Sequence, residues 1–445
     1  MLEWLACGIF VEETPLNFSS KNMPSQSFSE QQNNHLWLEK ILNAAQPLIS
    51  EDVEKTLIVS VLNAIFDSKE YDTKTRRNFI AAAFDLVVAA EYYRSVAHIG
   101  WIYCPDPIEH PLLIYPYTNA CPRCILKGNF TYHTANKPKS GSIGAKTSRL
   151  LALFLQELFV RKGLSIEVLK GAEPVDVVFR DNSTSPTTIF FAEIKAAPLV
   201  TLPLVVKSQP LTIEEESTTK AAEHGVSDNS QLFGSEIGFL VPVYNKKTKV
   251  WQGQVFNVGA KLSQKDETWA YQGLINLLES TPSFLKTYFE FWQVALKSYG
   301  KRDQSAIFWL TNACGQPSPR PEDWPRRKSA SGYESISDGK TSVGMDRTDD
   351  LKKATYQVLK IGAEGKPSDN YLYKVGVVSN IHAVRHFDDY MGTLKDIIWT
   401  RDEAGDVTKA KHLAPNTELF NLFDGLIALT ETLARDKWVR KVFDF

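Results

Sequence analysis

The sequence predicts a mixed α/β fold in which a central mixed sheet is flanked by helices, with a helical N-terminal region and a small zinc-binding-like module beside it. Two observations carry this prediction. Apolar residues recur at helical spacing through the first part of the chain. Short segments rich in β-branched and aromatic residues then alternate with helical segments, in the order helix, three strands, helix, strand.

The chain up to residue 100 is predicted to form the helical region. Residues 19–34 are polar and predict a loop or an arm. From Leu38 to Tyr93 apolar residues recur every three or four positions, which predicts about three helices. Residues 101–135 contain five prolines, which break any helix, and three cysteines. We therefore expect a small irregular module there.

Residues 136–315 are predicted to form the central core. An amphipathic helix is expected at 144–162, because apolar residues recur at helical spacing from Leu150 to Phe159. Gly163 is a typical residue for the end of such a helix. The remaining core elements expected are strands at 175–179, 188–196 and 237–244, a helix at 269–299 and a strand at 306–311. Residues 316–445 are expected to add a polar loop at 317–344, a helix at 348–361, a strand at 372–379 and a terminal helix at 417–438.

Composition limits the class of protein. The chain has 445 residues, of which 43% are apolar and 23% charged, so it can bury a sizeable core. No apolar run reaches the length of about eighteen residues that a membrane helix needs. The first residues carry Glu3 and no basic n-region, so we expect no secretory signal and a cytoplasmic protein. A net charge of −2 neither recruits nor excludes a polyanion.

Two carboxylates and a lysine stand on successive predicted strands. Side chains alternate across a strand, so Glu193 and Lys195 share one face. If Asp176 opens the neighbouring strand, it and Glu193 can hold Mg²⁺ through oxygen, with Lys195 beside an attacking water. Phosphodiester cleavage needs such a set. The alternative is an exposed surface pair, since an acid two residues before a lysine also occurs at Asp67, Asp72, Asp338, Asp350 and Glu364.

Pro174, Asp176, Glu193 and Lys195, with the order of the elements around them, resemble the PD-(D/E)XK nuclease superfamily, and most of all its type II restriction endonucleases. The resemblance covers about residues 140–312 and departs from the strict pattern by one inserted residue, Val175. It implies a restriction-endonuclease-like core at 136–315 that hydrolyses phosphodiester bonds in double-stranded DNA with Mg²⁺.

The resemblance also implies further components. Such enzymes commonly act as homodimers with one active site per strand, and residues 316–445 would serve DNA recognition or dimerisation. Members often add an acid from the helix before the strands, for which Glu157 is the best match. The alternative for Glu157 is an ordinary ion pair with Arg161, one helical turn further on.

The irregular module contains a candidate zinc site. Cys121 and Cys124 enclose a tight turn that can present two thiolates to a tetrahedral metal, and Cys104 with His133 would complete a Cys3His set. His110 or Asp106 are substitute ligands. A structural zinc would explain how a region broken by prolines is held together. The alternative is a pair of buried thiols without a metal.

Two groups of polar residues are candidates for DNA contact. Residues 125–149 carry a local charge of +5 and no acid, and the phosphate-binding candidates are Lys137, Lys139, Lys146 and Arg149. His382 and Arg385 follow a predicted strand and can read base edges. Each group can equally be a solvated surface loop.

These patterns together favour a Mg²⁺-dependent, sequence-specific type II restriction endonuclease. Two other hypotheses stay open. The first is a non-catalytic, zinc-containing DNA-binding protein in which Glu193 and Lys195 form a surface pair. The second is a repair, transposon or modification-dependent nuclease on the same core. Dependence of cleavage on magnesium separates the first from the enzymes.

Overall fold

The fold is described from a computed structural model. It covers residues 35–445 except 69–70, 97–100, 103–111, 115–120, 129–139, 209–224, 227–231, 264, 304, 313–342, 347, 366–369, 383–386, 393, 395–396, 400–414 and 418. The helices in the described parts are α1 (His35–Ala44), α2 (Asp52–Phe66), α3 (Thr73–Val96), α4 (Pro122–Leu126), α5 (Ser140–Arg161), α6 (Trp269–Ser280), α7 (Pro282–Lys301), α8 (Ala306–Trp309), α9 (Thr348–Gly365), α10 (Phe387–Tyr390) and α11 (Lys437–Val442).

The strands in the described parts fall into two larger and two small sheets. Their bounds are β1 (Gln46–Pro47), β2 (Trp101–Ile102), β3 (Leu112–Ile114), β4 (Ile166–Lys170), β5 (Val177–Asp181), β6 (Thr187–Ile194), β7 (Leu204–Lys207), β8 (Gly225–Val226), β9 (Glu236–Asn245), β10 (Val250–Lys261), β11 (Tyr371–Ser379), β12 (Ile398–Trp399), β13 (Phe420–Asn421), β14 (Gly425–Ala428) and β15 (Thr432–Ala434).

The main sheet is mixed and seven-stranded, in the order β1-β4-β5-β6-β11-β14-β15. Strands β4, β5 and β6 form an antiparallel meander. Strand β6 then pairs in parallel with β11, and β11 in parallel with β14. Ala192 in β6 lies opposite Val177 on one side and Gly376 on the other. The predicted mixed α/β class is confirmed at this level.

Helices cover both faces of the main sheet. Val177 and Ala192 belong to a buried cluster with residues of α2, α3 and α5. Phe191 and Val377 belong to a second cluster with residues of α1 and α9. Because neighbouring residues in a strand point to opposite faces, this division follows the alternation of the strand sequences.

The predicted order of helices and strands holds only in part. The third strand of the meander is β4, which we did not predict, whereas residues 237–244 form β9 in a separate sheet of order β10-β9-β7-β3. Residues 306–309 are helix α8, not a strand: the Ser305 hydroxyl accepts a hydrogen bond from the Phe308 N–H and caps it. In the described residues α5 is followed by β4, β5 and β6, and the strands β7 to β10 and the helices α6 to α8 come before α9 and β11.

Two further predictions about elements were wrong in detail. The terminal helix expected at 417–438 is replaced by β13, β14 and β15, and only α11 is helical. Strand β14 is buried throughout beside β11, and a short apolar run of this kind has no period that separates strand from helix. The helix expected at 269–299 is divided into α6 and α7, because Pro282 begins a new helix after Thr281.

A buried carboxylate joins four parts of the fold. Asp85 of α3 accepts hydrogen bonds from the backbone N–H groups of Leu199 and Val200, at 2.8 and 3.1 Å, and from the Trp292 indole of α7 at 2.8 Å. The Asn380 side chain, just after β11, approaches it at 3.5 Å. Burial raises the pKa of Asp85 to about 7 despite these donors. Asp85 thus fixes the chain that leaves β6.

None of the helices in the described residues is long and apolar enough to cross a membrane.

Replacing Asp85 should weaken the whole fold. We expect Asp85→Ala to lower the free energy of unfolding by about 3 kcal/mol or more, because each buried donor left without an acceptor costs about 1–3 kcal/mol. Urea unfolding followed by circular dichroism measures this loss. Asp85→Asn keeps an acceptor oxygen and should lose less. An alanine variant as stable as the wild type would contradict this account of the fold.

Candidate functional site

Asp176 and Glu193 face each other at the end of the β5–β6 ladder. Val177 pairs with Ala192, so continuing the register sets Asp176 opposite Glu193. Strand β5 begins only at Val177, and Asp176 Oδ2 accepts the Ile194 N–H at 2.8 Å in place of a strand carbonyl. This bond anchors the Asp176 carboxylate next to Glu193.

A close turn before β5 sets the position of Asp176. The Gly171 N–H donates to the Asp176 carbonyl oxygen at 2.9 Å. A Cβ at Gly171 would lie 2.2 Å from the Val175 carbonyl oxygen, a separation that no side chain tolerates. Glycine is therefore required for the backbone to approach itself here.

Lys195 completes the group of charges. Its ammonium pairs with Glu193 Oε1 and lies 4.0 Å from Asp176 Oδ2. Its backbone N–H donates to the Val378 carbonyl oxygen at 2.9 Å, so the parallel pairing with β11 extends to this residue. The predicted convergence of Asp176, Glu193 and Lys195 is therefore present in the structure.

The surroundings of Glu193 favour its neutral form. Its side chain is 10% exposed, whereas that of Asp176 is 39% exposed. Burial and the negative charge of Asp176 raise the pKa of Glu193 to about 7, and the opposing effect of Lys195 is smaller. A cation bound beside Glu193 would favour the charged form of this carboxyl group.

The pair suits a hard divalent cation. Asp176 Oδ2 accepts the Ile194 N–H, and Glu193 Oε1 pairs with the Lys195 ammonium. In the part of the chain that is described, no group of three or more histidine, cysteine or acidic side chains is arranged around a metal position. Magnesium commonly takes one or two carboxylates and fills its shell with waters and phosphate oxygens.

Glu157 lies apart from this group. It is on α5, which packs against the sheet face opposite to Glu193, and its Oε1 lies 3.6 Å from the Lys55 ammonium of α2. The alternative pair with Arg161 does not form either, because Arg161 pairs with Asp67 at 2.5 Å. No contact among the described residues joins Glu157 to Asp176 or Glu193.

Sequence reasoning missed the residues that hold the chain after Lys195. Asn380 Nδ2 donates to the Ala197 carbonyl oxygen at 2.8 Å, and its Oδ1 accepts the Ala197 N–H at 3.2 Å. The Thr147 hydroxyl of α5 lies 2.8 Å from the Ala196 carbonyl oxygen. The sequence does hold one indication of this role, because Asn380 directly follows an apolar predicted strand and an asparagine there commonly bonds to nearby backbone groups.

The cysteine pair is buried at the start of α4. Cys121 is the N-cap residue, and Cys124 lies in the first turn. Both belong to a small hydrophobic cluster with Leu113, Val205 and Leu240 of the second sheet. The other predicted zinc ligands, Cys104 and His133, lie outside the described residues, and the zinc site stays a prediction.

Two of the candidate DNA contacts, Lys146 and Arg149, have charged partners inside the protein. The Lys146 ammonium lies 2.9 Å from Glu91 Oε1, and Arg149 Nη1 lies 3.0 Å from Glu54 Oε2. Although burial alone would raise the pKa of Glu54, hydrogen bonding to Arg149 and the backbone outweighs it and lowers the value. These cations thus neutralise buried acids of α2 and α3.

His382 lies just after β11 with its ring 4.8 Å from that of Phe387. Its Nε2 is buried and has no hydrogen-bond partner in the described protein. Burial lowers its pKa, although Glu431, Asp346 and Asp388 oppose this. Lys137, Lys139 and Arg385 lie outside the described residues.

The chain matches no protein-family model, and neither a curated protein nor a solved structure shows a significant similarity to it.

The pKa of Glu193 predicts how cation binding depends on pH. A proton on Glu193 competes with Mg²⁺, so the dissociation constant for Mg²⁺ should rise about tenfold for each pH unit below 7 and change little above it. Isothermal titration calorimetry at several pH values measures this. Glu193→Gln should bind Mg²⁺ more weakly and without this pH dependence. A wild-type affinity for Mg²⁺ that stays constant from about pH 8 to pH 5.5 would refute Glu193 as a ligand.

Proposed function

We propose that the protein is a Mg²⁺-dependent endonuclease that hydrolyses phosphodiester bonds in double-stranded DNA, of the type II restriction class. The observation that carries this proposal is the meeting of Asp176, Glu193 and Lys195 at one end of the sheet, with Lys195 Nζ 4.0 Å from Asp176 Oδ2. Asp176 and Glu193 supply the negative oxygens that a divalent cation requires, and Lys195 supplies a mobile proton donor or acceptor.

Each residue would have a distinct part in the reaction. Asp176 and Glu193 would hold Mg²⁺, which when bound neutralises the phosphate and lowers the pKa of water. Lys195 would orient the attacking water and exchange a proton with it. The backbone bond from Ile194 to Asp176 holds that carboxylate in place, so little reorganisation would be needed when substrate arrives.

The order of the elements around the site supports the same proposal. Helix α5, the meander β4–β5–β6, helix α9 and the parallel strand β11 give the helix, three strands, helix, strand order of the PD-(D/E)XK nucleases if β7 to β10 and α6 to α8 are an insertion between β6 and α9. Cutting both strands of a duplex with one such site per chain calls for two chains, so a homodimer belongs to the proposal, as do action in the cytoplasm and a recognition role for residues 316–445.

Substitution of Asp176 tests the chemistry. We expect Asp176→Ala and Asp176→Asn to abolish Mg²⁺-dependent cleavage of unmethylated phage DNA while DNA binding in EDTA is retained, because either change removes a negative ligand oxygen. The asparagine variant keeps an acceptor for the Ile194 N–H, so it separates lost chemistry from a lost hydrogen bond. Gel electrophoresis of the products, with magnesium or with EDTA, gives the result.

The control is Glu167→Ala, because Glu167 is an exposed acid of the same sheet whose Oε2 lies 3.0 Å from Arg180. It should cut like the wild type. Cleavage that survives in both Asp176 variants would exclude the proposed site. Intact DNA under all conditions, with binding retained, would favour the non-catalytic DNA-binding protein. Cleavage confined to modified or damaged DNA would favour a repair or modification-dependent nuclease.

Zinc is the second metal of the proposal. Cys121, Cys124, Cys104 and His133 would hold it and fix the irregular module against the second sheet. We expect Cys121→Ala to lose bound zinc and to lower the unfolding midpoint, since a structural zinc contributes directly to folding. Elemental mass spectrometry and thermal unfolding measure the two effects. Cys314→Ala, the control, should keep the metal. If the wild-type protein contains no zinc, Cys121 and Cys124 are buried thiols without a metal.

A further inference from the structure

The hairpin of β9 and β10 extends beyond the sheet that carries it. Strand β7 pairs with β9 only from Glu236 to Phe239, and the Leu240 N–H still donates to the Pro203 carbonyl oxygen. From residue 241 to 245, β10 is the only described strand that pairs with β9. This part is a two-stranded ribbon whose tip is the turn at 245–249. Helix α7 braces it, because the Trp251 ring lies 6.3 Å from that of Phe291.

Hydrogen bonds within the turn define the conformation of the ribbon tip. Asn245 Oδ1 accepts the N–H groups of Lys247 and Thr248, at 3.0 and 3.2 Å, and the Lys249 N–H donates to the Asn245 carbonyl oxygen at 2.8 Å. Lys249 adopts a left-handed backbone with φ of 57°, where asparagine or glycine is more common. A lysine is thus held at a position that favours other residues.

The ribbon is strongly basic in a chain that is otherwise balanced. Residues 241–254 contain three lysines and no acid, although the whole chain carries a net charge of −2. Lys246, Lys247 and Lys249 are exposed at the tip, and the described residues offer none of them an ion pair. Tyr244, 44% exposed, lies beside them with its ring 5.4 Å from Trp251. Unpaired ammonium groups beside an aromatic ring suit a phosphate backbone.

The outer strand adds groups that can read bases. Gln252 and Gln254 of β10 are exposed and lie two residues apart, so they point to the same face, where Gln252 Oε1 accepts a hydrogen bond from Asn245 Nδ2 at 3.4 Å. A two-stranded ribbon fits the major groove, which is about 12 Å wide, and glutamine can pair with the N6 and N7 edge of adenine. The same element therefore offers phosphate contacts at its tip and base contacts along one face.

We propose that the ribbon formed by residues 241–254 is a DNA-binding arm of this protein, in which Lys246, Lys247 and Lys249 contact phosphates and Gln252 and Gln254 contact base edges in the major groove. The inference rests on the proposed function in taking duplex DNA as the substrate. It adds a contact surface far along the chain from Asp176 and Glu193, formed by residues that take no part in the proposed chemistry.

A binding experiment without catalysis tests the arm. Full-length wild type and the triple variant K246Q/K247Q/K249Q are titrated with a fluorescent mixed-sequence DNA duplex in EDTA at several salt concentrations. The variant should bind at least about tenfold more weakly, and its slope of log affinity against log salt should fall by about 2.7, since each phosphate contact contributes about 0.9. The turn depends on Asn245 and backbone groups, so circular dichroism should show an unchanged fold.

The matched control is K286Q/K297Q/K301Q, which removes the same charge from exposed positions of α7. It should keep the wild-type slope. Equal losses in the two triple variants, or an unchanged slope in the first, would overturn the inference. Tighter binding of a matched RNA duplex, lost in K246Q/K247Q/K249Q, would replace DNA by RNA as the partner.

The two glutamines have a separate readout. Selection from a randomised duplex pool should show altered base preference for Gln252→Ala and Gln254→Ala with an unchanged salt slope. Identical preferences would overturn the base-reading role. The experiments distinguish failure of the DNA-binding arm from failure of the proposed enzyme activity. A wild-type protein that binds DNA but never cuts it refutes the enzyme activity. Cleavage with full DNA binding by K246Q/K247Q/K249Q refutes the DNA-binding arm.

Discussion

The buried carboxylate of Asp85 is the interaction on which the geometry of the candidate site most depends. Strand β6 ends just before Lys195, and the chain must then leave the sheet without losing the alignment of Glu193. Asp85 fixes that exit by accepting the N–H groups of Leu199 and Val200. The same carboxylate accepts the Trp292 indole, so α7 is fastened to the exit as well. Burying a carboxylate in apolar surroundings costs free energy unless donors form hydrogen bonds to it. The four groups that approach Asp85 must therefore keep their positions in the folded protein.

Hydrogen bonds from the two strands beside β6 fix the geometry of the site. Pairing with β11 holds Lys195 from one side through Val378, and the Asp176 side chain holds Ile194 from the other. Asp176 therefore has a structural and an electrostatic effect at once: it ends the β5–β6 ladder, and its charge helps to raise the pKa of Glu193. Neither effect requires a loop to close over the site. Backbone pairing and hydrogen bonds within the sheet thus hold the three side chains together, as expected of a preorganised site.

The sequence predicted the centre of the site better than its surroundings. Alternation along a strand is a local property, so the shared face of Glu193 and Lys195 could be derived from spacing alone. The pairing of β6 with β11 joins segments far apart in the chain, and local patterns do not specify such pairings. For the same reason Asn380 was missed, although it follows the strand that was predicted. Strand β14 was mistaken for a helix because a short buried apolar run has no distinguishing period.

The basic residues show why charge alone is a poor guide to a nucleic-acid surface. Lys146 and Arg149 belong to an acid-free segment of sequence, yet they neutralise Glu91 and Glu54, which are buried on other helices. A buried acid needs a cation or hydrogen-bond donors as partners. The sequence indicates this for Glu54, because it lies three residues before Leu57 and so on the apolar face of its helix. Cations with such partners hold the interior together. Lys246, Lys247 and Lys249 of the β9–β10 ribbon form no ion pair with an acid among the described residues, which is why we propose them as phosphate contacts.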